Sequence, residues 1–390
     1  MKQLCILGRQ PAIGIAELEA LYGADNLEVC SPSSVQVTTD QPIHFRRLGG
    51  TIKIAKPLKE LPGYSFTQAC EYLSKTIPQH VKHLPDGKLK LGLSLYDDAT
   101  VSLSTLTAQL LRLKKPIKQA GRSVRIVENK SLVLDAAQVI YNKLTKELGW
   151  ELLLIKTKSG FMLAQTTAVQ DINDYTVRDR GRPKRDARIG MLPPKLAQII
   201  INLASDTLDT KKTILDPFCG TGVLLQEALL MGYSVYGTDN NDRMIQYSRE
   251  NLQWLEKKYD LRAAWDLAEA DATKATWKQP IDSVACETYL GRPFTTPPDS
   301  ALLQKNRADC DTIIRKFLQN IGSQLSSGTR LCIAVPAWFM GNSVFHLATL
   351  DDLEKIGYKQ ISFVHAPRTD LIYHREDQIV GRELVVLARR

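Results

Sequence analysis

From residue 194 onward, strand-like and helix-like runs alternate without interruption, and this rhythm leaves little choice of architecture. PPKLAQIIINLA reads as a helix, TILDPF as a strand, GVLLQEALLMG as a helix, SVYGTD as a strand and DRMIQYSRENLQWLEKKY as a helix. AAWDLAEAD, IDSVACE, the helical ALLQKNRADCDTIIRKFLQNIGSQL and TRLCIAVPAW continue the pattern. Strands that alternate with helices at this spacing build a doubly wound α/β sheet of the Rossmann-like kind, with a ligand crevice beyond the carboxyl ends of its strands. The segments ISFVHAP (361–367) and QIVGRELVVLAR (378–389) lie close enough in sequence to pair as a C-terminal antiparallel hairpin closing the sheet.

Ahead of this region the pattern is different. QLCILG, a helical stretch around AELEALYG and SVQVTT make a small α+β unit over residues 1–60. A second α+β unit is expected over 61–170. There VRIVEN reads as a strand, LDAAQVIYNKLTKELG as an amphipathic helix and WELLLIKTKSGFMLAQTTAV as a hairpin turning at residues 158–160. Residues 171–190 read as a basic linker or surface loop, because VRDRGRPKRDARIG packs Arg178, Arg180, Arg182, Lys184, Arg185 and Arg188 among glycines and a proline. The sheet domain then occupies 191–390.

Charge is divided unequally along the chain. Residues 1–190 hold 28 Lys and Arg against 18 Asp and Glu, whereas 191–390 hold 23 against 24. The positive excess of the first half suits an anionic partner, most simply nucleic acid. No uninterrupted apolar run is long enough for a membrane span, and MKQLCILGRQ lacks the features of a signal peptide, so a cytoplasmic protein is expected. The 7 cysteines are scattered without metal-ligand spacing, so reduced, buried thiols are expected, with neither disulfides nor a metal.

The chemistry gathers at the strand ends. The first strand runs into Asp216-Pro217-Phe218-Cys219-Gly220-Thr221-Gly222, where Gly220 and Gly222 let the backbone approach a ligand and the next helix presents its amides. Leu225 stands where a dinucleotide fingerprint needs its third glycine, and Asp216 would repel a pyrophosphate. An acid there suits a cationic ligand. Asp239, at the next strand end, is placed to accept ribose hydroxyls, and Asp271, at the third, to accept from an exocyclic amine such as that of adenine. One such acid is commonly a helix cap or turn former. Three at successive strand ends around a glycine loop describe an amino acid, a ribose and an adenine, which together are S-adenosylmethionine.

KRDARIGMLPPKLAQIIINLA followed by ILDPFCGTGVLLQEALLMGYSVYGTDNN resembles the THUMP-domain tRNA (guanine-N2)-methyltransferases. LCILGRQPAIGIAELEALYG is similar to that family's N-terminal ferredoxin-like unit, and SVRIVENKSLVLDAAQVIYNKL with the following hairpin is similar to THUMP itself. The resemblance implies a ferredoxin-like unit, a THUMP domain, the basic linker and a class I methyltransferase domain, in that order. It implies an S-adenosylmethionine pocket that adds Pro193, Phe218, Thr221, Asn240 and Ala272 to the glycines and acids above. It also implies a tRNA partner gripped at its acceptor end, with Arg122, Arg125, Arg180, Arg182, Lys184 and Arg185 as RNA-binding candidates, and a modified guanosine at position six or ten. Whether a small activating subunit takes part is left open by the residues.

The fourth strand end carries the transfer site. A guanine exocyclic nitrogen is a poor nucleophile, so a carboxylate aimed at its protons and an aromatic face against the base are expected. The family usually has Asp-Pro-Pro-Tyr here. This chain has Glu287-Thr288-Tyr289-Leu290-Gly291, with Glu287 and Tyr289 as the catalytic candidates. Glutamate reaches about one C–C bond further than aspartate, and a loop without proline is expected to be less rigid. The expected function is methylation of a guanosine N2 amine in tRNA. The alternatives are a THUMP-type RNA-binding protein with an inactive methyltransferase domain, and an amino-methyltransferase acting on adenine or DNA.

Overall fold

The computed structural model describes residues 1–186, 192–277, 280–294 and 296–390. Two compact units emerge: one comprises Met1–Pro11, Asp25–Arg46 and Thr51–Asn173, and the other Ala12–Ala24, Arg47–Gly50 and Asp174–Arg390.

The first stretch of chain contains β1 (Lys2–Leu7), α1 (Pro11–Tyr22), β2 (Leu27–Ser31), β3 (Ser34–Thr38), β4 (Thr51–Pro62), α2 (Phe66–His80), β5 (Leu89–Tyr96), α3 (Leu103–Arg112), α4 (Lys114–Gln119), β6 (Val124–Ile126), α5 (Ala136–Tyr141), β7 (Gly149–Thr157) and β8 (Gly160–Val169). Its eight strands form one sheet in the order β2-β3-β1-β4-β8-β7-β5-β6. The long strand β4 pairs with β1 through Thr51–Ala55 and with β8 through Lys53–Pro62, so the segments on either side of residue 60 share a continuous sheet. The β7–β8 hairpin closes with Thr157 opposite Gly160. Inside the sheet the buried Glu151 accepts from Ser94 Oγ at 2.6 Å, from Thr166 Oγ1 at 2.7 Å and from the Lys53 ammonium. Its charge is thereby paired and hydrogen-bonded, the condition for a buried carboxylate to persist. The helix expected across residues 134–149 is shorter than its amphipathic pattern, because Lys143 takes φ +58° and turns replace it beyond Tyr141.

The second stretch contains α6 (Ile172–Arg180), α7 (Pro194–Ser205), β9 (Thr213–Asp216), α8 (Val223–Leu230), β10 (Ser234–Asp239), α9 (Asp242–Tyr259), β11 (Trp265–Glu269), β12 (Ser283–Glu287), α10 (Ser300–Gly322), β13 (Arg330–Met340), β14 (Ser343–Phe345), β15 (Tyr358–Gln360), β16 (Ile372–Tyr373) and β17 (Val380–Arg389). The sheet runs β11-β10-β9-β12-β13-β17-β15, with β14 on β13 and β16 on β17. Strands β9 to β13 are mutually parallel, and β17 runs antiparallel to β13 from Arg330 opposite Ala388 to Trp338 opposite Val380. Ile314, Phe317, Leu318 and Ile321 of α10 pack with Leu331, Ile333 and Val335 of β13 in its core. The chain builds outward from β9 through β10 to β11 and then returns to the other side of β9 with β12. That reversal puts the crevice at the ends of β9 and β12, at Asp216 and Glu287.

One expected partner of the terminal strand is corrected. ISFVHAP forms no strand, and β17 pairs instead with β15 and β16. The Val364 and His365 amides donate to the Glu19 carboxylate of α1 at 2.6 and 2.9 Å, so these groups are satisfied outside any ladder, and Val364 is 76% exposed. Among the described residues no helix is long and apolar enough to cross a membrane.

Candidate functional site

A cavity of about 920 Å³ opens at the carboxyl ends of the central strands of the second unit. Its wall takes in the β9–α8 loop, the ends of β10 and β11, the segment after β12, one face of α10 and the approach to β17. Ten of the twelve residues expected to hold a cofactor or carry catalysis line it: Asp216, Phe218, Gly220, Thr221, Asp239, Asn240, Asp271, Ala272, Glu287 and Tyr289. The other two lie beside it. Gly222 is the N-cap of α8, and Pro193 is the N-cap of α7 next to the lining residue Leu192.

Asp216 is 2% exposed. Its Oδ1 accepts from the Phe218 amide at 3.1 Å, and its second oxygen has no hydrogen-bond partner among the described residues. Burial pushes this carboxyl well above the usual range against the pull of the Phe218 amide, and the nearby Asp239 and Glu287 push it the same way. The following loop takes φ +51° at Gly220 and +79° at Gly222. A Cβ at Gly220 would stand in open space, while one at Gly222 would meet Ser248 Oγ at 2.9 Å. Asp239 binds this loop to the next strand, accepting from the Gly220 amide at 3.0 Å and the Asn241 amide at 3.0 Å. Burial raises its carboxyl as well. Asp271 is a turn former, accepting from Thr273 N at 3.0 Å and Thr273 Oγ1 at 2.7 Å. Those bonds hold its carboxyl below the ordinary value.

The segment after β12 is more constrained than its missing prolines suggest. Thr288 donates through both its amide, at 3.0 Å, and its hydroxyl, at 3.1 Å, to the Ala334 carbonyl. Asn306 of α10 accepts from the Arg292 amide at 3.1 Å and donates to the Arg292 carbonyl at 3.3 Å. The expected loss of rigidity is therefore offset by side-chain tethers at both ends of the loop. Between them Tyr289 is 40% exposed, an aromatic surface open to a ligand.

Sequence reasoning missed Arg382. From β17 its Nε donates to Glu287 Oε1, making an ion pair within the cavity wall. The two residues are 95 positions apart, and only the antiparallel insertion of β17 beside β13 brings them together.

The basic candidates separate into two groups. Arg125 lies on the edge strand β6, and Arg180 and Arg185 are exposed. Three others are engaged. The Arg122 guanidinium donates to the carbonyls of Val81, Leu84, Pro85 and Gly87. Arg182 is 4% exposed, and its Nη1 reaches Thr221 Oγ1 at 3.4 Å. Lys184 pairs with Glu250 at 3.3 Å. Arg188 lies outside the described residues.

Comparison with known proteins points to a methyltransferase domain. Residues 182–360 match the family model of the RMKL-like methyltransferase domain. The chain is 33% identical over 147 residues to the tRNA (guanine(10)-N2)-dimethyltransferase of Methanothermobacter thermautotrophicus, covering 38% of this chain and 39% of that protein. It is also 33% identical over 174 residues to the protein of the same name from Pyrococcus abyssi, covering 44% of each. The matches thus span about two fifths of the length of these curated relatives. Among solved structures, TrmN from Thermus thermophilus is similar over 100% of both chains with a TM-score of 0.51 and 14% identity, a likeness of fold. Over residues 182–360 the resemblance to the tRNA (guanine-N2)-methyltransferases is borne out.

Proposed function

We propose that this protein is an S-adenosylmethionine-dependent tRNA (guanine-N2)-methyltransferase. The observation that carries the reading is the convergence of Asp216, Asp239, Asp271, Glu287 and Tyr289 on one cavity at the sheet's switch point. The cofactor fits these residues. Asp216 is nearly buried yet keeps an oxygen without a partner among the described residues, and the open side of Gly220 leaves room for a ligand against the backbone. Asp216 faces the cationic methionine end, Asp239 the ribose hydroxyls and Asp271 the adenine amine. The bound cofactor supplies an electrophilic methyl group on a sulfonium.

The chain's own residues do the rest. Tyr289 holds the base flat, and Glu287 accepts from the N2 amine so that its lone pair is aimed and its developing positive charge balanced. Held by Asp216, Asp239 and Asp271, that cofactor would give up its methyl to N2 while its sulfur kept the electron pair of the broken bond. The proton that N2 must then lose passes to Glu287 or solvent. No strong base is required, because the amine becomes acidic only as the new bond forms.

Residues 1–170 take the RNA-binding role in this reading, with 1–60 as a ferredoxin-like unit and 61–170 as a THUMP domain gripping the tRNA acceptor end in the cytoplasm. Its support is the resemblance in sequence and the positive excess of residues 1–190. The decisive test is methyl transfer from labelled S-adenosylmethionine to unmodified tRNA, followed by nucleoside mass spectrometry. N2-methylguanosine or its dimethyl form is expected. Methylated adenosine or DNA would shift the assignment to adenine amines, and no transfer to any RNA or DNA would favour an inert binding protein.

Cofactor binding should also release a proton. The Asp216 carboxyl lies above the usual range in the free protein, and a cationic ligand favours its ionised form. Affinity is therefore expected to rise with pH between the ordinary carboxylate range and the raised value. Calorimetry at about pH 6 in two buffers of different ionisation enthalpy would show this as a buffer-dependent heat, lost in Asp216→Asn. A buffer-independent heat in the unsubstituted protein would rule out the linkage.

A further inference from the structure

Arg382 is 7% exposed, yet only part of its guanidinium is engaged. Nε donates to Glu287 Oε1, while Nη1 and Nη2 have no hydrogen-bond or ion-pair partner among the described residues. Glu287 is in the same condition, because Oε2 has no partner among the described residues either. Both side chains line the cavity. A guanidinium serving only as a counter-ion would gain most from a two-pronged grip on the carboxylate, the geometry for which arginine is suited. The single bond seen here leaves donors and an acceptor side by side and open to the cavity, where a ligand can complete them.

The neighbouring residue sharpens the contrast. Glu383 accepts from or shares a proton with His346 Nδ1 at 2.6 Å and lies 3.9 Å from Arg368, so its charge is spent on its own surroundings. Successive residues of a strand point to opposite faces, and Arg382 is the one β17 turns toward the cavity.

We infer that Glu287 and Arg382 together read the edge of the target base and select guanine. The inference rests on the function proposed above. Across the pair the order of groups is acceptor (Oε2), acceptor (Oε1), donor (Nη). Guanine presents the complementary order along one edge: the N2 amine, the N1–H and the O6 carbonyl. Adenine presents an amine where O6 stands and a lone pair where N1–H stands, so two of the three positions meet like with like. A site built around buried polar groups rejects an analogue that leaves them unpaired, and arginine to guanine O6 is a common pairing of protein with base.

The test separates recognition from mere support. Single-turnover transfer is compared on tRNA carrying either guanosine or 2,6-diaminopurine riboside at the modified position. The analogue keeps the N2 amine but replaces O6 with an amine and N1–H with a lone pair. The unsubstituted protein should favour guanosine by about tenfold to a hundredfold. Arg382→Gln should lose most of the guanosine rate and bring the two substrates within about threefold of each other. Arg382→Lys, which keeps the charge and one donor, should retain an intermediate preference and guards against a folding defect in the first variant. Equal slowing on both substrates in both variants, or no preference in the unsubstituted protein, would overturn the inference while leaving the function standing. Failure of the unsubstituted protein to methylate guanosine in any tRNA would overturn the function itself, and the inference with it.

Discussion

Glu287→Ala is expected to lower single-turnover methyl transfer by about a hundredfold or more with both ligands saturating, the scale at which a preorganised partner of a developing charge acts. The residue ends β12 at the switch point and offers one free oxygen to the cavity. Removing the carboxylate also leaves Arg382 without its counter-charge close to where the sulfonium must lie. Cofactor affinity should therefore be measured beside the rate, and Glu287→Gln, which preserves volume, should lose rate with less effect on folding. Tyr289→Ala should weaken capture of the base, whereas Tyr289→Phe should be milder, because stacking needs the ring and not the hydroxyl. Transfer by Glu287→Ala at the unsubstituted rate would remove the residue from the mechanism.

Asp239→Ala is expected to weaken S-adenosylmethionine binding by roughly 1.5–3 kcal/mol, the worth of hydrogen bonds to a charged group. The residue has two duties. One is observed, fixing the glycine loop through the Gly220 and Asn241 amides; the other, accepting the ribose hydroxyls, belongs to the proposed pocket. Asp239→Asn keeps one acceptor oxygen for the Gly220 amide, so it should preserve the loop better and lose less affinity. Isothermal calorimetry on both variants, with circular dichroism to establish that they fold, makes the comparison. Unchanged affinity in a folded Asp239→Ala protein would reject this assignment.

The parallel part of the sheet was legible because its strands and helices carry their own periodicities and three of its strands end on candidate residues. Asp216, Asp239 and Glu287 could be found by locating strand ends alone. What depends on long-range geometry was hidden. Arg382 looks like any charged residue in a strand until β17 is known to lie beside β13. Basic residues gave the least reliable signal, since charge in a sequence does not say whether a guanidinium meets solvent or carbonyls. Arg122 is held by four carbonyls, and Arg178 is buried in an ion pair with Glu227 and near Asp174. The strand expected at ISFVHAP stops early for a related reason: the Ile361 amide still donates to the Val386 carbonyl of β17, but the Val364 and His365 amides are claimed by Glu19, more than three hundred positions earlier.

The tether between Asn306 and the loop after β12 has a bearing on how this chain could have parted from the Asp-Pro-Pro-Tyr pattern. Gly291 takes φ +84°, and a Cβ there would come within 2.4 Å of Asn306 Oδ1, so any other residue at 291 is opposed by both strain and collision. Asn306 in turn has its amide committed to Arg292. Neither position is free to drift alone. Homologues that lack the two prolines should carry glycine and asparagine at these places together, and those that keep the prolines should vary at both; an alignment in which the two residues change independently would show that the loop has other ways to hold its shape. Stiffness lost from the backbone at one point of a lineage would then be inherited as a pair of co-evolving sites, one of them on a helix that takes no direct part in the chemistry.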